Sequence, residues 1–352
     1  MNDRLQGLRN KMGGLNIQGM IIANPINVKY LTGLEAEGTL LITRKENIYL
    51  TDSRYIEYVN NTITPFDEII VDDIKNISKE DYENYFMFCE NVGFEENYVT
   101  YANYKKYMHT YKINNLTEAE CLIEKLRMIK DSGEINNLKK ACNVTDECFK
   151  FLLTYIKPGI SEKEIAKKIE QYFMENAEGV SFTPIVASGE NSSKPHAIPS
   201  ERKIKEKDII TIDMGCRING YCSDMTRTIF IGEPTLEQKK IYDIVLKNQE
   251  LSLKEMKDGA LIKDITKIVT SDFALNGYSL DHSLGHGVGL EVHEPPVIRE
   301  KSDNQLKEKM TITNEPGIYI PGKFGVRIED TLLITKEEPE LLTKSDKKYV
   351  VI

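Results

Sequence analysis

The sequence predicts an α+β protein of two domains: a smaller α/β domain, then a larger one whose helices cover an antiparallel sheet. Three observations carry that expectation. The chain has 352 residues, more than one ordinary core organises. Strand-like runs alternate with helical stretches through the first part of the chain. After that, capped helices alternate with hairpin signals rather than with single strands. The boundary is placed near residue 125, giving domains 1–125 and 126–352.

In chain order, GMIIAN at 19–24, NVKYLTG at 27–33, GTLLIT at 38–43 and NIYLTD at 47–52 read as strands. A helical stretch near Arg54–Asn60 follows, then a further strand candidate, DEIIVD, at 67–72. Residues 117–130 read as a helical connector. Asp131 with Glu134 caps a long helix whose apolar positions run from Ile135 through Leu138, Cys142 and Phe149 to Ile156, until Pro158-Gly159 stops it. Ser161 with Glu164 opens a helix through Phe173, and Thr235 with Gln238 opens one continuing past Val245. A helix over Lys263–Leu275 ends at Asn276-Gly277.

The composition is globular, with 40% hydrophobic and 29% charged residues and no tryptophan. A net charge of −9, with no basic run to offset it, argues against a nucleic-acid partner. The opening MNDRLQGLRNKMGGL lacks the apolar core of a signal peptide, and no apolar run reaches membrane-spanning length. The six cysteines form no CxxC pair, so neither a zinc ribbon nor a redox motif is expected. A soluble protein of the reducing cytosol is the simplest expectation.

Four of the five histidines fall among carboxylates: His196 in KPHA, then His282, His286 and His293 in HSLGHGVGLEVHEPP. Around them stand Asp213 in IDMG, Asp224 in SDMTRT, Glu315 in NEPGIY and Glu329 in VRIED. Imidazole nitrogens and carboxylate oxygens together form a donor set for divalent cations. Asp213 and Asp224 flank Asn219-Gly220, the strongest two-residue hairpin signal. That turn pairs Ile218 with Tyr221 and sets Asp213 opposite Thr226, with Asp224 its diagonal neighbour at about 7–8 Å. Glu315 and Glu329 flank PGKFG, and a loop centred on Gly322 sets them opposite each other. Arg327 shares the face of Glu329 and is placed to clamp a carboxylate. The glycines of LGHGVGL point to a strand or loop whose backbone approaches the site closely. His286 and His293 have opposite parity along a strand, so a bend must intervene if both face one cavity.

Singly, each group has a plainer use. His196 suits a solvated loop, the two aspartates suit turns, and Arg327 with Glu329 suits a surface ion pair. HxxxH at 282 and 286 lacks the helix and the intervening glutamate of a zincin. Together they point to a dinuclear metal site and a hydrolase.

The ordered set IDMG, SDMTRT, GHGVGLEVHE, NEPGIY and VRIED resembles the pita-bread metallopeptidases, which include methionine aminopeptidases, proline-specific aminopeptidases, prolidases and creatinase. The likeness covers roughly 130–352, and TDSRY at 51–55 extends a looser one to a creatinase-type N-terminal domain. The resemblance implies that Asp213 holds one metal ion, that His286 and Glu315 hold the other, and that Asp224 and Glu329 bridge them. It implies that Glu315 accepts the proton of an attacking water, and that His196 and His293 contact the scissile carbonyl. His282 would line a proline-ring pocket, and Arg327 would orient the ligands at the substrate site. The two-domain length and HEPP at 293–296 favour the proline-specific branch. The expected activity is therefore an Xaa-Pro aminopeptidase acting on short peptides with a penultimate proline, with an Xaa-Pro dipeptidase as the alternative. A creatinase-like amidinohydrolase or a non-enzymatic binding module would be expected to lack some of these ligands. The resemblance also implies manganese, with cobalt, zinc or iron as other candidates, and a homodimer.

Overall fold

The computed structural model describes residues 2–63 and 69–352, and the chain forms two compact units, Met1–Arg127 and Met128–Ile352. In the first unit the order is α1 (Asn2–Gly14), β1 (Gly19–Ile22), α2 (Pro25–Thr32), β2 (Thr39–Ile42), β3 (Asn47–Thr51), α3 (Ile56–Thr62) and β4 (Ile69–Asp73). Then come α4 (Lys79–Asn84), β5 (Val92–Phe94), α5 (Tyr101–Thr110), β6 (Leu116–Glu118) and α6 (Leu122–Arg127). The strands form one mixed sheet, β4-β3-β2-β1-β5-β6, in which the β1/β2 and β2/β3 pairs are antiparallel and the rest parallel.

Two expectations fail here for local reasons. NVKYLTG is helical, within α2, because Asn24 accepts from the Ile26 amide, Pro25 presets the first turn and Gly33 closes it at φ 75°. The supposed connector over 117–130 begins instead as β6, which adds to β5 in parallel. Glu120 and Cys121, both at positive φ, then turn the chain into α6. Of DEIIVD, Asp67 and Glu68 lie outside the described residues, and β4 starts at Ile69.

The second unit opens with α7 (Ser132–Tyr155) and α8 (Glu162–Asn176), each entered through the capping box that the sequence predicts. Strand β7 (Ile185–Ser188) and a 3-10 turn lead to β8 (Ile209–Met214), β9 (Arg217–Ile218), β10 (Tyr221–Cys222) and β11 (Met225–Phe230). Helices α9 (Leu236–Glu255) and α10 (Ile262–Leu275) follow. The chain ends in β12 (Gly285–Gly287), β13 (Glu294–Ile298), β14 (Thr311–Asn314), β15 (Gly317–Ile320), β16 (Phe324–Arg327), β17 (Asp330–Leu333) and β18 (Glu340–Leu341).

Each half of this unit covers antiparallel strands with a helix pair. Phe149, Leu152, Ile165 and Phe173 of α7 and α8 bury against Val186, Ile210, Ile212 and Ile229 of β7, β8 and β11. Ile241, Val245, Val269 and Phe273 of α9 and α10 bury against Ile298, Ile312 and Leu332 of β13, β14 and β17. Burial of such side chains contributes about 1.5–3 kcal/mol each relative to exposure, which holds the strands as rigid platforms.

Between the platforms runs a buried ion pair that fixes the start of β17. Arg227 donates through one terminal nitrogen to Asp330 Oδ1 at 2.7 Å and through the other to the carbonyls of Thr226 and Glu329. Lys347 and Gln249 donate to Asp330 Oδ2 at 2.6 and 2.8 Å. Burial alone would raise the Asp330 pKa, but Arg227 and Lys347 outweigh it and hold the carboxyl below the usual aspartate value.

Asp330→Ala should therefore lower unfolding stability by about 3–5 kcal/mol, because it strands a buried guanidinium. Since the folded pKa is depressed, the aspartate's contribution is complete above the ordinary aspartate pKa and fades as pH falls through the lowered value. Guanidinium unfolding of both proteins at neutral and acid pH measures this. A neutral-pH difference below about 1 kcal/mol contradicts the assignment.

Candidate metal centre

The two predicted hairpins meet in the second unit with the predicted registers. Ile218 pairs with Tyr221 and Thr226 with Asp213. Asp224 comes just before β11, where the chain crosses Gly215. A Cβ at Gly215 would stand 1.9 Å from the Ser223 carbonyl oxygen, so only glycine permits the crossing. In the other hairpin one register runs through β14/β17 and β15/β16, from Asn314 opposite Asp330 to Gly317 opposite Arg327. Glu315 and Glu329 face each other at the join between these two ladders, where Ile328 N–H donates to the Pro316 carbonyl at 3.4 Å.

His286 arrives on β12, wedged between β13 and β14. The bend required between His286 and His293 is a register shift at His286/Gly287 followed by a turn, which brings the two rings to 4.3 Å between centroids. The glycines here serve neighbouring strands rather than the site itself. A Cβ at Gly285 would lie 2.1 Å from the Thr313 carbonyl oxygen, which is how β12 fits beside β14.

All nine residues singled out in the sequence line one cavity of about 700 Å³: His196, Asp213, Asp224, His282, His286, His293, Glu315, Arg327 and Glu329. Asp224, His286 and Glu329 are buried, and each offers a ligand atom within 4.8 Å of the others'. Glu315 Oε1 stands 3.4 Å from His286 Nε2, and Asp224 Oδ2 stands 3.5 Å from it. His286 Nδ1 lies 3.0 Å from the Gly287 carbonyl, an acceptor only, so Nδ1 carries the proton and Nε2 turns a free lone pair towards the carboxylates.

The electrostatics call for cations. Burial, then the neighbouring carboxylates, raise the pKa values of Asp224 and Glu329 well above the usual range, and burial raises that of Glu315. Burial lowers the pKa values of His282, His286 and His293, so none of the three adds a positive charge that would repel a cation. Asp213 Oδ1 and Asp224 Oδ1 are buried with no hydrogen-bond partner among the described residues. Buried carboxylate oxygens without a donor are rare, and a metal ion satisfies them. The residues present thus fit divalent metal binding.

Arg327 does hold a carboxylate, and that carboxylate is Asp213 rather than its face-mate Glu329: one terminal nitrogen donates to Asp213 Oδ2 at 2.8 Å. Its other donors go to Thr226 Oγ1, the Pro195 carbonyl and the Tyr319 hydroxyl. Glu329 is held instead by Thr226 Oγ1 at 2.6 Å. The reason is tertiary: the sequence shows which face Arg327 shares, but the packing of β16 across β11 and β8 selects the carboxylate.

Tyr319 is a site residue that the sequence reading missed. Arg327 donates to its oxygen at 2.8 Å, and its hydroxyl donates to His282 Nε2 at 3.0 Å. His282 Nδ1 donates to the Ser283 carbonyl at 2.7 Å, so both ring nitrogens are engaged. The hairpin register held the clue, because Tyr319 is the diagonal neighbour of Arg327 on one face. Thr226 was legible in the same way, opposite Asp213.

Comparison with known proteins agrees with this geometry. Residues 136–336 match the model of metallopeptidase family M24, and residues 4–129 match the creatinase/prolidase N-terminal domain. The chain is 35% identical to an Xaa-Pro dipeptidase of Pyrococcus furiosus, over 99% of this chain and 100% of the other. Among solved structures, it resembles an Xaa-Pro dipeptidase from Bacillus anthracis with TM-score 0.94 and 34% identity, covering 99% of each chain. It also resembles an X-Pro aminopeptidase from Thermotoga maritima with TM-score 0.87 and 32% identity, covering 96% of this chain and 98% of that one.

The crowding of carboxylates has a measurable consequence. Manganese added to chelator-stripped protein should raise the melting temperature, with about 2.7 kcal/mol of stabilisation at a hundredfold excess over Kd. Glu329→Gln removes one repelling charge. Its metal-free form should melt at or above metal-free wild type, while the manganese-dependent rise collapses. An undiminished rise in the variant would remove Glu329 from the ligand set.

Proposed function

The chain belongs to metallopeptidase family M24, with a creatinase/prolidase N-terminal domain, and from that premise we propose that it removes an N-terminal residue lying before proline. One observation supports this above the others: the histidine–carboxylate cluster forms the floor of a cavity whose walls include Phe182, Ile185, Pro295 and Val297. Proline makes the bond before it a tertiary amide without an N–H, so recognition must come from an apolar fit to the ring.

In this proposal Asp213, Asp224, His286, Glu315 and Glu329 hold two divalent ions. Bound there, such ions polarise the scissile carbonyl and make water available as a nucleophile near neutral pH. Glu315 takes the proton of the attacking water and passes it to the leaving proline nitrogen. His293, exposed beside His286, and His196, also exposed, donate to the carbonyl oxygen as negative charge builds on it. With both nitrogens engaged, His282 offers its ring face as a wall for proline rather than a proton. Arg327 holds Asp213 in place while tying the His196 loop to it through Pro195. We assign manganese as the working metal, from a mixed nitrogen and oxygen donor set that also accepts cobalt, zinc or iron. A cytoplasmic homodimer is the assembly and compartment in the same proposal, the six free thiols suiting a reducing environment.

The size of the cavity leaves room beyond a dipeptide and supports an aminopeptidase that accepts longer peptides. The names of the Pyrococcus and Bacillus relatives support a dipeptidase instead. Measuring kcat/KM for Xaa-Pro and Xaa-Pro-Yaa at saturating manganese separates the two. The aminopeptidase assignment expects both to be cut, and cleavage of the dipeptide alone replaces it with the dipeptidase. His293→Ala should retain its metal while kcat falls by roughly 10²–10³, as for one lost oxyanion donor. An unchanged kcat would take His293 out of the reaction.

A further inference from the structure

His196 reaches the cavity from an exposed loop, and its imidazole has no hydrogen-bond partner among the described residues. Its aim therefore depends on where the backbone between Ser188 and Ser200 is held. Both ends of that segment converge on one carboxylate, Glu162, which is fully buried at the first position of α8. Glu162 Oε1 accepts from the Ser188 amide and hydroxyl, each at 2.7 Å. Oε2 accepts from the Ser200 amide at 3.0 Å and its hydroxyl at 2.6 Å. Asn191 Nδ2, from the middle of the segment, lies 3.1 Å from both oxygens.

The backbone closes the clasp from the other side. The Lys163 amide donates to the Ser200 carbonyl at 3.0 Å, and the Glu162 amide donates to the Arg202 carbonyl at 3.1 Å. The helix does not need Glu162 as a cap, because Ser161 and Glu164 already form the capping box. Burying an ionised carboxylate is costly unless donors surround it, and here every donor comes from the loop. The carboxylate is thus committed to the geometry of the loop.

We propose that Glu162 is a positioning residue for His196: by gripping Ser188, Asn191 and Ser200 it sets the distance from the imidazole to the reacting carbonyl. It touches no metal ligand, and Arg327 holds the same loop at a second point, the Pro195 carbonyl. This inference rests on the role given to His196 in the proposed function. Glu162→Gln tests it, because an amide NH₂ must face a donor wherever it replaces an oxygen.

The experiment is a double-mutant cycle on manganese-loaded full-length protein with an Xaa-Pro peptide. His196→Ala should lower kcat by about 10²–10³. Glu162→Gln should lower it by about 10², the scale of an ångström of misplacement, with metal content unchanged and faster amide exchange across 189–199. The double variant should be no slower than His196→Ala alone, because the clasp has nothing left to aim. Losses that multiply in the double variant, or Glu162→Gln at wild-type kcat, overturn the inference while leaving His196 in place. A full-rate His196→Ala overturns the role of His196 itself, and this inference with it. If Glu162→Gln does not fold, Ser200→Ala removes the 2.6 Å donor and runs the same cycle with a smaller loss.

Discussion

Four carboxylates share one largely buried cavity, and most of the local structure follows from making that arrangement tolerable. Burial and the neighbouring carboxylates raise the charging cost of Asp224 and Glu329 in a medium that screens poorly. Arg327 answers one of the four, Asp213. Thr226 and Thr313 supply hydroxyl donors to Glu329 and Glu315. The remaining charge, with orphaned oxygens on Asp213 and Asp224, is what divalent cations neutralise.

Such a cluster must be assembled by elements that cannot relax away from it. Each acid sits at the end of a ladder or just beyond it: Asp213 near the end of β8, Asp224 ahead of β11, and Glu315 and Glu329 at the join between two ladders. Pairing on either side fixes the backbone, while the break in pairing frees the side chain to point into the cavity. Arg227 and Asp330 lock the residue after Glu329, and the helix pairs bury the opposite faces of the strands. Single-point anchors such as the Glu162 clasp govern the parts that strands do not carry.

Much of this was legible in the chain. Asn219-Gly220 and Gly322 determine two registers, and a register determines which acids face each other, because side chains alternate with period two. The capping boxes at Asp131, Ser161 and Thr235 mark three helix starts. NVKYLTG misled because its apolar content suits either element. The local signals that decided for helix were the Asn24-Pro25 start and the Gly33 stop. The partner of Arg327 and the role of Glu162 were not legible, because each depends on contacts between segments far apart in sequence.

Residue order thus determined the donor set, the turn that pairs each acid with its opposite, and the helices that back the strands. These are short-range matters, governed by alternation, capping and turn geometry. Tertiary packing decided which carboxylate receives the one arginine, which imidazole nitrogen stays free, and how the His196 loop is held. The physical reason is that a hydrogen bond or ion pair is chosen by distance in space. Along the chain, Arg327 is two residues from Glu329 and far from Asp213, yet in the fold it bonds Asp213 at 2.8 Å.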